Sequence, residues 1–235
     1  MDMKALVIGN SFARDALRYL HSLAKKNNED IKCVNLYFGG CCLKTHYLNC
    51  LDDRRAYEFD FNGEATGIFV TAREALESDD WDVVVMHQAC RFSHDFDTFI
   101  PYIEKLKEYI GIYSPKSKIY INQTWCYESG NEQLAAQGYQ SPREMLKDVK
   151  AAYSRAAELI GADKIIPSGE AMLALASETK AHRDKFHASL GAGRYLLARV
   201  WFKALTGKNA TAELEEFDEP ISAAEMKLIQ QICSR

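Results

Sequence analysis

The stretch that decides the fold is ALVIGNS at residues 5–11, close to the start of the sequence. Its first four residues form a short apolar run that is typical of a β-strand. Gly9 and Asn10 tolerate a tight turn, and helical periodicity from Phe12 to Lys26 begins directly after Ser11. The pattern predicts a β-strand that passes straight into an α-helix, with the Ser11 hydroxyl at the carboxyl edge of a sheet.

The rest of the chain repeats this alternation of strand and helix. Further strands are predicted at 31–37, 82–86, 118–122 and 164–167, and further helices at 97–109, 142–160, 190–205 and 222–233. Right-handed crossovers between such units give an open parallel sheet that binds its ligand beyond the carboxyl ends of the strands. We therefore predict an α/β fold with a doubly wound, five-stranded parallel sheet.

One segment departs from the alternation. Residues 57–61 alternate apolar and polar side chains and lead into Asn62-Gly63, a strong signal for a hairpin turn. We interpret it as a hairpin inserted around residues 55–66. Because the chain has 235 residues and neither an internal repeat nor a Pro/Gly-rich linker, we expect residues 1–235 to form a single domain.

Charge and composition argue against several classes of function. The chain has 29 basic and 33 acidic residues and a net charge of −4, which gives no electrostatic basis for binding nucleic acid or an anionic membrane. We expect a neutral or weakly charged small-molecule or saccharide substrate instead. The sequence has neither a spanning segment nor a signal peptide, so we expect a cytoplasmic protein if Met1 is the native start, and a secreted or periplasmic one if a leader has been removed. The seven cysteines form no Cys-x-x-Cys pair, which argues against a zinc cluster or a disulfide framework.

Two distant features carry the chemistry. Ser11 follows the first strand, and Asp184 stands three residues before His187, ahead of a predicted helix. Such a carboxylate can accept from the imidazole Nδ1–H and leave Nε2 to take a proton from a nucleophile. Taken alone, Ser11 is also a normal helix cap, and so are Asp184 and Ser189. The predicted topology brings both features to the same sheet edge, which favours a Ser-His-Asp arrangement.

Here the chain resembles a known family. Gly9-Asn10-Ser11 resembles the first block, Gly-Asp-Ser in its commonest form, of the SGNH (GDSL-type) hydrolases, and Asp184-x-x-His187 resembles their last block. The resemblance spans nearly the whole chain and includes an uncharacterised bacterial branch with carbohydrate-esterase-like features. It implies a three-layer α/β/α, flavodoxin-like fold with Ser11 as nucleophile, His187 as base and Asp184 as the carboxylate that orients it. No metal or cofactor is implied.

The resemblance also assigns the oxyanion hole. Gly40, with Gly39 as the less favoured alternative, matches the second block, whose glycine N–H donates to the oxyanion together with the N–H of Ser11. The third block normally supplies an asparagine, whereas this chain reads MHQAC at 86–90. Gln88 carries the same amide donor and is the expected substitute, with His87 as its competitor.

Substrate contacts are expected at His46, Trp125 and Asn10, the first two on loops beyond the second and fourth strands, although core or surface positions are equally compatible with His46 and Trp125. The expected activity is removal of small O-acyl groups, with O-acetyl groups on carbohydrate favoured. A lipid or thioester hydrolase of the same fold is the alternative. A non-catalytic flavodoxin-like module that binds phosphate or flavin is a further one, but it leaves Asp184-x-x-His187 unexplained.

Overall fold

A computed structural model describes residues 2–234 of the chain. Seven strands form one mixed sheet in the order β4-β3-β2-β1-β5-β6-β7. The strands are β1 Asp2–Gly9, β2 Asp30–Tyr37, β3 Tyr57–Phe61, β4 Glu64–Val70, β5 Val83–Met86, β6 Lys118–Asn122 and β7 Lys164–Ile166. The helices are α1 Ser11–Leu17, α2 Leu20–Lys26, α3 Leu43–Leu51, α4 Ala72–Glu77, α5 Tyr102–Tyr113, α6 Glu132–Ala136, α7 Pro142–Ile160, α8 Ser168–Ala176, α9 Ala192–Thr206 and α10 Ala223–Cys233.

The α/β class is confirmed, but the expected five-stranded parallel sheet is enlarged to seven strands. Strands β2, β1, β5, β6 and β7 run parallel to one another. The hairpin of β3 and β4 adds two antiparallel strands at the β2 edge. Its turn uses positive φ at Asn62 (51°) and Gly63 (88°), and the Asn62 side chain accepts from the backbone N–H of Cys33 at 3.0 Å, which docks the hairpin on β2.

The strand order locates the site. From β1 the chain crosses to β2 on one side, whereas β5 and β6 lie on the other side of β1. Right-handed crossovers in opposite directions place the connecting helices on opposite faces, in agreement with the two packed groups α1, α2, α9 and α3, α4, α5, α7. The carboxyl end of β1 is therefore the topological switch point, where sheets of this kind bind ligands.

Two local features differ from the predicted elements. The helix predicted from Phe12 to Lys26 is divided into α1 and α2, and the one predicted from residue 97 begins at Tyr102, after Pro101. All seven cysteines carry free, buried thiols. Within residues 2–234, none of the helices combines the length and the apolar character that crossing a membrane requires.

Candidate active site

The structure brings Ser11, His187 and Asp184 together at the carboxyl end of β1. Ser11 Oγ lies 2.9 Å from His187 Nε2, and His187 Nδ1 lies 2.7 Å from Asp184 Oδ2. Ser11 and His187 are 176 positions apart in the sequence. The three side chains form one continuous hydrogen-bonded series in the order needed for a carboxylate to orient an imidazole and for the imidazole to accept the serine proton.

The loop of residues 184–187 is wrapped around its own carboxylate. Asp184 Oδ1 accepts from the backbone N–H groups of His187 at 2.6 Å and Phe186 at 3.1 Å. Lys185 takes a left-handed φ of 61°, which allows the chain to close this turn. Burial raises the pKa of Asp184, but hydrogen bonds from His187 and from Phe186 outweigh it and hold that pKa below its usual value. Asp184 is therefore an anion at neutral pH.

An ion pair around the buried Asp15 carboxylate connects this loop to α1, the helix that begins at Ser11. Asp15, on α1 one turn beyond Ser11, is 1% exposed. Its two carboxylate oxygens accept from Arg183 Nη1 at 3.0 and 2.9 Å, and Oδ1 also accepts from Arg194 Nε at 2.8 Å. Arg183 Nη1 donates in addition to the Ala188 carbonyl. The helix that carries the serine and the loop that carries the histidine are thus held by one carboxylate.

Aromatic side chains pack beside Ser11 and His187 and support the positions of these two residues. Phe12 stacks on Trp125 with ring centroids 3.8 Å apart and planes 4° apart, and the Phe186 ring lies 4.5 Å from the His187 ring. Trp125 Nε1 donates to the Phe186 carbonyl at 2.9 Å. Trp125 is fully buried and does not line the pocket that contains Ser11, which argues against its predicted role as a substrate contact there. Its ring and N–H instead support the residues beside the histidine.

Asn10 joins the loops that carry Ser11 and Gly40. Its Oδ1 caps α1 by accepting from the Phe12 N–H at 3.0 Å, and its Nδ2 donates to the Cys41 carbonyl at 3.0 Å. Asn10 borders the pocket but is 3% exposed, so these contacts position the two loops and leave little surface for a substrate. Gly40 has a φ of +64°, a conformation that favours glycine. Within the described residues, neither the Ser11 N–H nor the Gly40 N–H donates a hydrogen bond.

A pocket of about 450 Å³ opens over Ser11, within the size range of small-molecule sites. Its lining combines backbone donors, aromatic rings, amides and one arginine: Asn10, Ser11, Phe12, Gly40, Ala89, Cys90, Arg91, Tyr127, Asn131, Gln133 and Phe186. The serine therefore lies at the base of a cavity that can admit a small ester.

Comparison with known proteins places the chain in a family. The family described as Domain of unknown function (DUF4886) matches residues 4–230. This chain belongs to the DUF4886 family. The crystal structure of a DUF4886 family protein from Bacteroides uniformis superposes with a TM-score of 0.92 at 30% identity, covering 99% of this chain and 93% of that one. No protein with a curated description matches the sequence significantly.

More distant solved structures show the fold. A proposed SGNH hydrolase from Slackia heliotrinireducens has a TM-score of 0.62 at 24% identity, covering 86% of this chain and 98% of that one. A family 3 carbohydrate esterase from Clostridium thermocellum has a TM-score of 0.54 at 11% identity, covering 86% and 94%. The resemblance to SGNH hydrolases and to an uncharacterised bacterial branch is confirmed, and this DUF4886 protein has the SGNH hydrolase fold.

Gln88 does not occupy the place of the missing asparagine in this DUF4886 protein. It is 1% exposed, and its Oε1 accepts from the N–H groups of Leu43 at 3.1 Å and Ala89 at 2.9 Å. Its Nε2 donates to the carbonyl of Thr98 at 2.9 Å and to the Thr98 hydroxyl at 3.3 Å. The amide nitrogen is therefore engaged by Thr98 and Gln88 does not line the pocket over Ser11, so the prediction that Gln88 donates to an oxyanion is wrong.

The two histidines considered from the sequence are core residues of the DUF4886 fold. His46 lies on α3 instead of a loop, is fully buried and hydrogen-bonds through Nδ1 with the Tyr57 hydroxyl at 3.0 Å. Burial lowers the pKa of His46 to about 3 and that of His87 to about 4, so both are neutral. Neither borders the pocket, which excludes His46 as a substrate contact and His87 as the alternative donor.

Asp15, Arg183 and Arg91 were not predicted from the sequence. Asp15 lies four residues after Ser11, on the same helix face, and that spacing was a usable signal. Arg183 directly precedes Asp184, but nothing local identifies a partner 168 positions away. Arg91 enters the pocket because the chain turns through a short 3₁₀ helix at Cys90–Phe92, a turn that has no strong sequence signal.

Proposed function

We propose that this protein is a serine ester hydrolase that removes small O-acyl groups through an acyl-enzyme. The observation that carries the proposal is the hydrogen-bonded series from Ser11 Oγ through His187 to Asp184. A module that merely binds phosphate or flavin has no use for this series. The SGNH hydrolase fold of the chain supports the same conclusion at the level of hydrolases.

In the proposed reaction, Ser11 Oγ attacks the ester carbonyl while His187 Nε2 takes the serine proton. Asp184 holds the imidazole in the tautomer that leaves Nε2 free to accept and stabilises its charged form. His187 then donates the proton to the departing alcohol, and the acyl group stays on Ser11. A water molecule, deprotonated by His187, attacks the acyl-enzyme, and the proton returns to Ser11 as the acid leaves.

The oxyanion of each tetrahedral intermediate needs donors above Ser11. The N–H groups of Ser11 and Gly40 are the proposed donors, because both lie at the pocket and neither donates to another described residue. Gln88 contributes indirectly, since its Oε1 accepts from the N–H of Leu43 at the start of α3 and from the N–H of Ala89 in the loop after β5. The proposed oxyanion hole therefore has two backbone donors, each worth about 10²–10³ in turnover in comparable hydrolases.

For the substrate, we propose O-acetyl groups carried by a small polar alcohol such as a carbohydrate. The pocket volume of about 450 Å³ suits a compact alcohol with a short acyl group. Phe186 offers aromatic surface at its wall, and Asn131 and Gln133 bring amide groups. Such a mixture suits a sugar ring better than a long hydrocarbon chain.

Hydrolysis of p-nitrophenyl acetate, butyrate and octanoate beside acetylated monosaccharides tests the proposal. We expect activity on the acetyl esters, a decline with acyl length, and loss of all turnover above background in Ser11→Ala. Ser22→Ala is the matched control because Ser22 is an exposed serine on α2, and it should keep wild-type turnover. Wild-type turnover in folded Ser11→Ala would refute the mechanism, and a preference for octanoate would refute the substrate class.

A further inference from the structure

Arg91 is the one charged side chain among the residues that line the pocket over Ser11. It is solvent-exposed and stands on the 3₁₀ turn that follows β5. Its Nη2 lies 3.4 Å from the carbonyl oxygen of Gly40, so the guanidinium is beside the glycine whose N–H we assign to the oxyanion hole. Because Ser11 and Arg91 line the same pocket, a substrate bound for attack by Ser11 can also contact the Arg91 guanidinium.

The Arg91 guanidinium has no carboxylate partner within residues 2–234. Most other arginines are neutralised in ion pairs: Arg14, Arg18, Arg54, Arg55, Arg73, Arg183, Arg194 and Arg199. The nearest catalytic carboxylate, Asp184, is engaged by His187 and does not line the pocket. The long 3.4 Å contact with Gly40 satisfies at most one of the five guanidinium hydrogens.

The charge balance of the pocket indicates what kind of group would complete it. One arginine and no acidic side chain line the cavity, so it favours a single negative charge. The planar fork of a guanidinium matches a carboxylate in a bidentate pair. Gln133, exposed at the same wall, can add an amide donor. Lys185 is not among the residues that line the pocket, and its ammonium donates to the Gly130 carbonyl at 3.1 Å.

We propose that Arg91 binds a carboxylate on the alcohol part of the substrate, so that the natural ester is an O-acylated hydroxy acid. This proposal rests on the ester hydrolase function proposed above and specifies its substrate class. The carboxylate stays on the alcohol that leaves, and it takes no part in bond making. Arg91 is accordingly a specificity residue that selects anionic over neutral alcohols of the same shape.

A pair of nearly isosteric esters tests this selection. 3-Acetoxybenzoate and 3-acetoxybenzamide share the acetyl group and the ring and differ in the charge of one substituent. The wild-type protein should prefer the benzoate by about tenfold or more in kcat/KM, the range of a charge-assisted hydrogen-bonded pair. In Arg91→Gln the ratio should fall to about one, and Arg91→Lys should restore part of it, since the charge returns without the fork.

The control variant is Arg54→Gln, which removes the same charge from an exposed position that does not line the pocket and should keep the wild-type ratio. Equal kcat/KM values for the two esters in the wild-type protein, or a preference that survives in Arg91→Gln, would overturn the proposal. A fall of kcat by the same factor on both esters in Arg91→Gln would overturn it too, because it would assign the guanidinium to the oxyanion.

Binding to Ser11→Ala separates this proposal from the catalytic one. Titration of that variant with the two esters, followed by ligand-observed NMR, should show tighter binding of the benzoate, and adding Arg91→Gln should remove the difference. If neither ester is hydrolysed by the wild-type protein but the binding preference is present, the esterase proposal fails and the carboxylate site stands. Equal binding of both esters refutes the carboxylate site whatever the activity.

Discussion

Replacing Asp15 by asparagine should uncouple α1, which carries Ser11, from the loop that carries His187. The side chain of Asp15 is 1% exposed, and those of Arg183 and Arg194 are 29% and 14% exposed. Removing one partner of a buried ion pair costs about 3–5 kcal/mol. Asparagine keeps one acceptor oxygen and the volume, and Arg194 keeps its pair with Asp218, so we expect a loss of about 2–3 kcal/mol.

The effect on catalysis should exceed what lower stability explains. If the loop of His187 moves by about 1 Å relative to Ser11, kcat should fall by about 10- to 100-fold while KM changes little. Urea unfolding measures the loss in free energy of unfolding. Steady-state hydrolysis of p-nitrophenyl acetate, at a temperature where the variant is fully folded, measures kcat and KM. Asp218→Asn is the control, because it removes a partner of Arg194 but leaves Arg183 bound to Asp15. Wild-type kcat in a destabilised Asp15→Asn would refute the positioning role.

Three further predictions follow from the site and the core. His187→Ala should be as inactive as the variant without the nucleophile, whereas Asp184→Ala should keep measurable turnover, because base and nucleophile act as one unit; undiminished kcat in both would contradict the triad. Gln88→Leu should lower the free energy of unfolding by about 2–6 kcal/mol, since two buried N–H groups lose their acceptor, and a large fall in kcat without lost stability would contradict this. Burial lowers the pKa of His46 to about 3 and that of His87 to about 4. Between about pH 6.5 and pH 4, each of these histidines therefore binds a proton mainly in the unfolded chain. The free energy of unfolding should therefore fall by up to about 2.7 kcal/mol per pH unit as the pH is lowered from about 6 to about 4. Urea unfolding that is independent of pH in this range would contradict the burial of the two histidines.

Local patterns were sufficient to predict the parallel core of the sheet and the three side chains, Ser11, His187 and Asp184, that the structure joins by hydrogen bonds. Ser11 is identified by a strand that passes directly into a helix, and Asp184 and His187 by a spacing of three residues within one turn. Their approach follows from topology alone, because both lie at the carboxyl edge of the sheet. The hairpin turn at Asn62 was equally visible, but its pairing with β2 depends on a contact between segments distant in sequence.

The incorrect site predictions share a physical cause. Gln88, His46 and Trp125 are residue types that serve equally in a site or in a core, and only long-range packing decides which. The Gln88 side chain hydrogen-bonds with backbone groups of α3 and of the segment between β5 and α5. Arg91 is the opposite case, because it lines the pocket but was not predicted from the sequence. An arginine in a turn has no distinguishing pattern until the fold shows which side chains surround it.

Covalent labelling of Ser11 tests its activation by His187 most directly. The wild-type protein, incubated with a fluorophosphonate and examined by intact mass and peptide mapping, should gain a single adduct on Ser11. The Ser11→Ala and His187→Ala variants should remain at background under the same conditions, with unchanged circular dichroism as the check that they are folded. A wild-type protein that stays unmodified, or that carries its adduct on a different serine, would contradict an activated nucleophile at the end of β1.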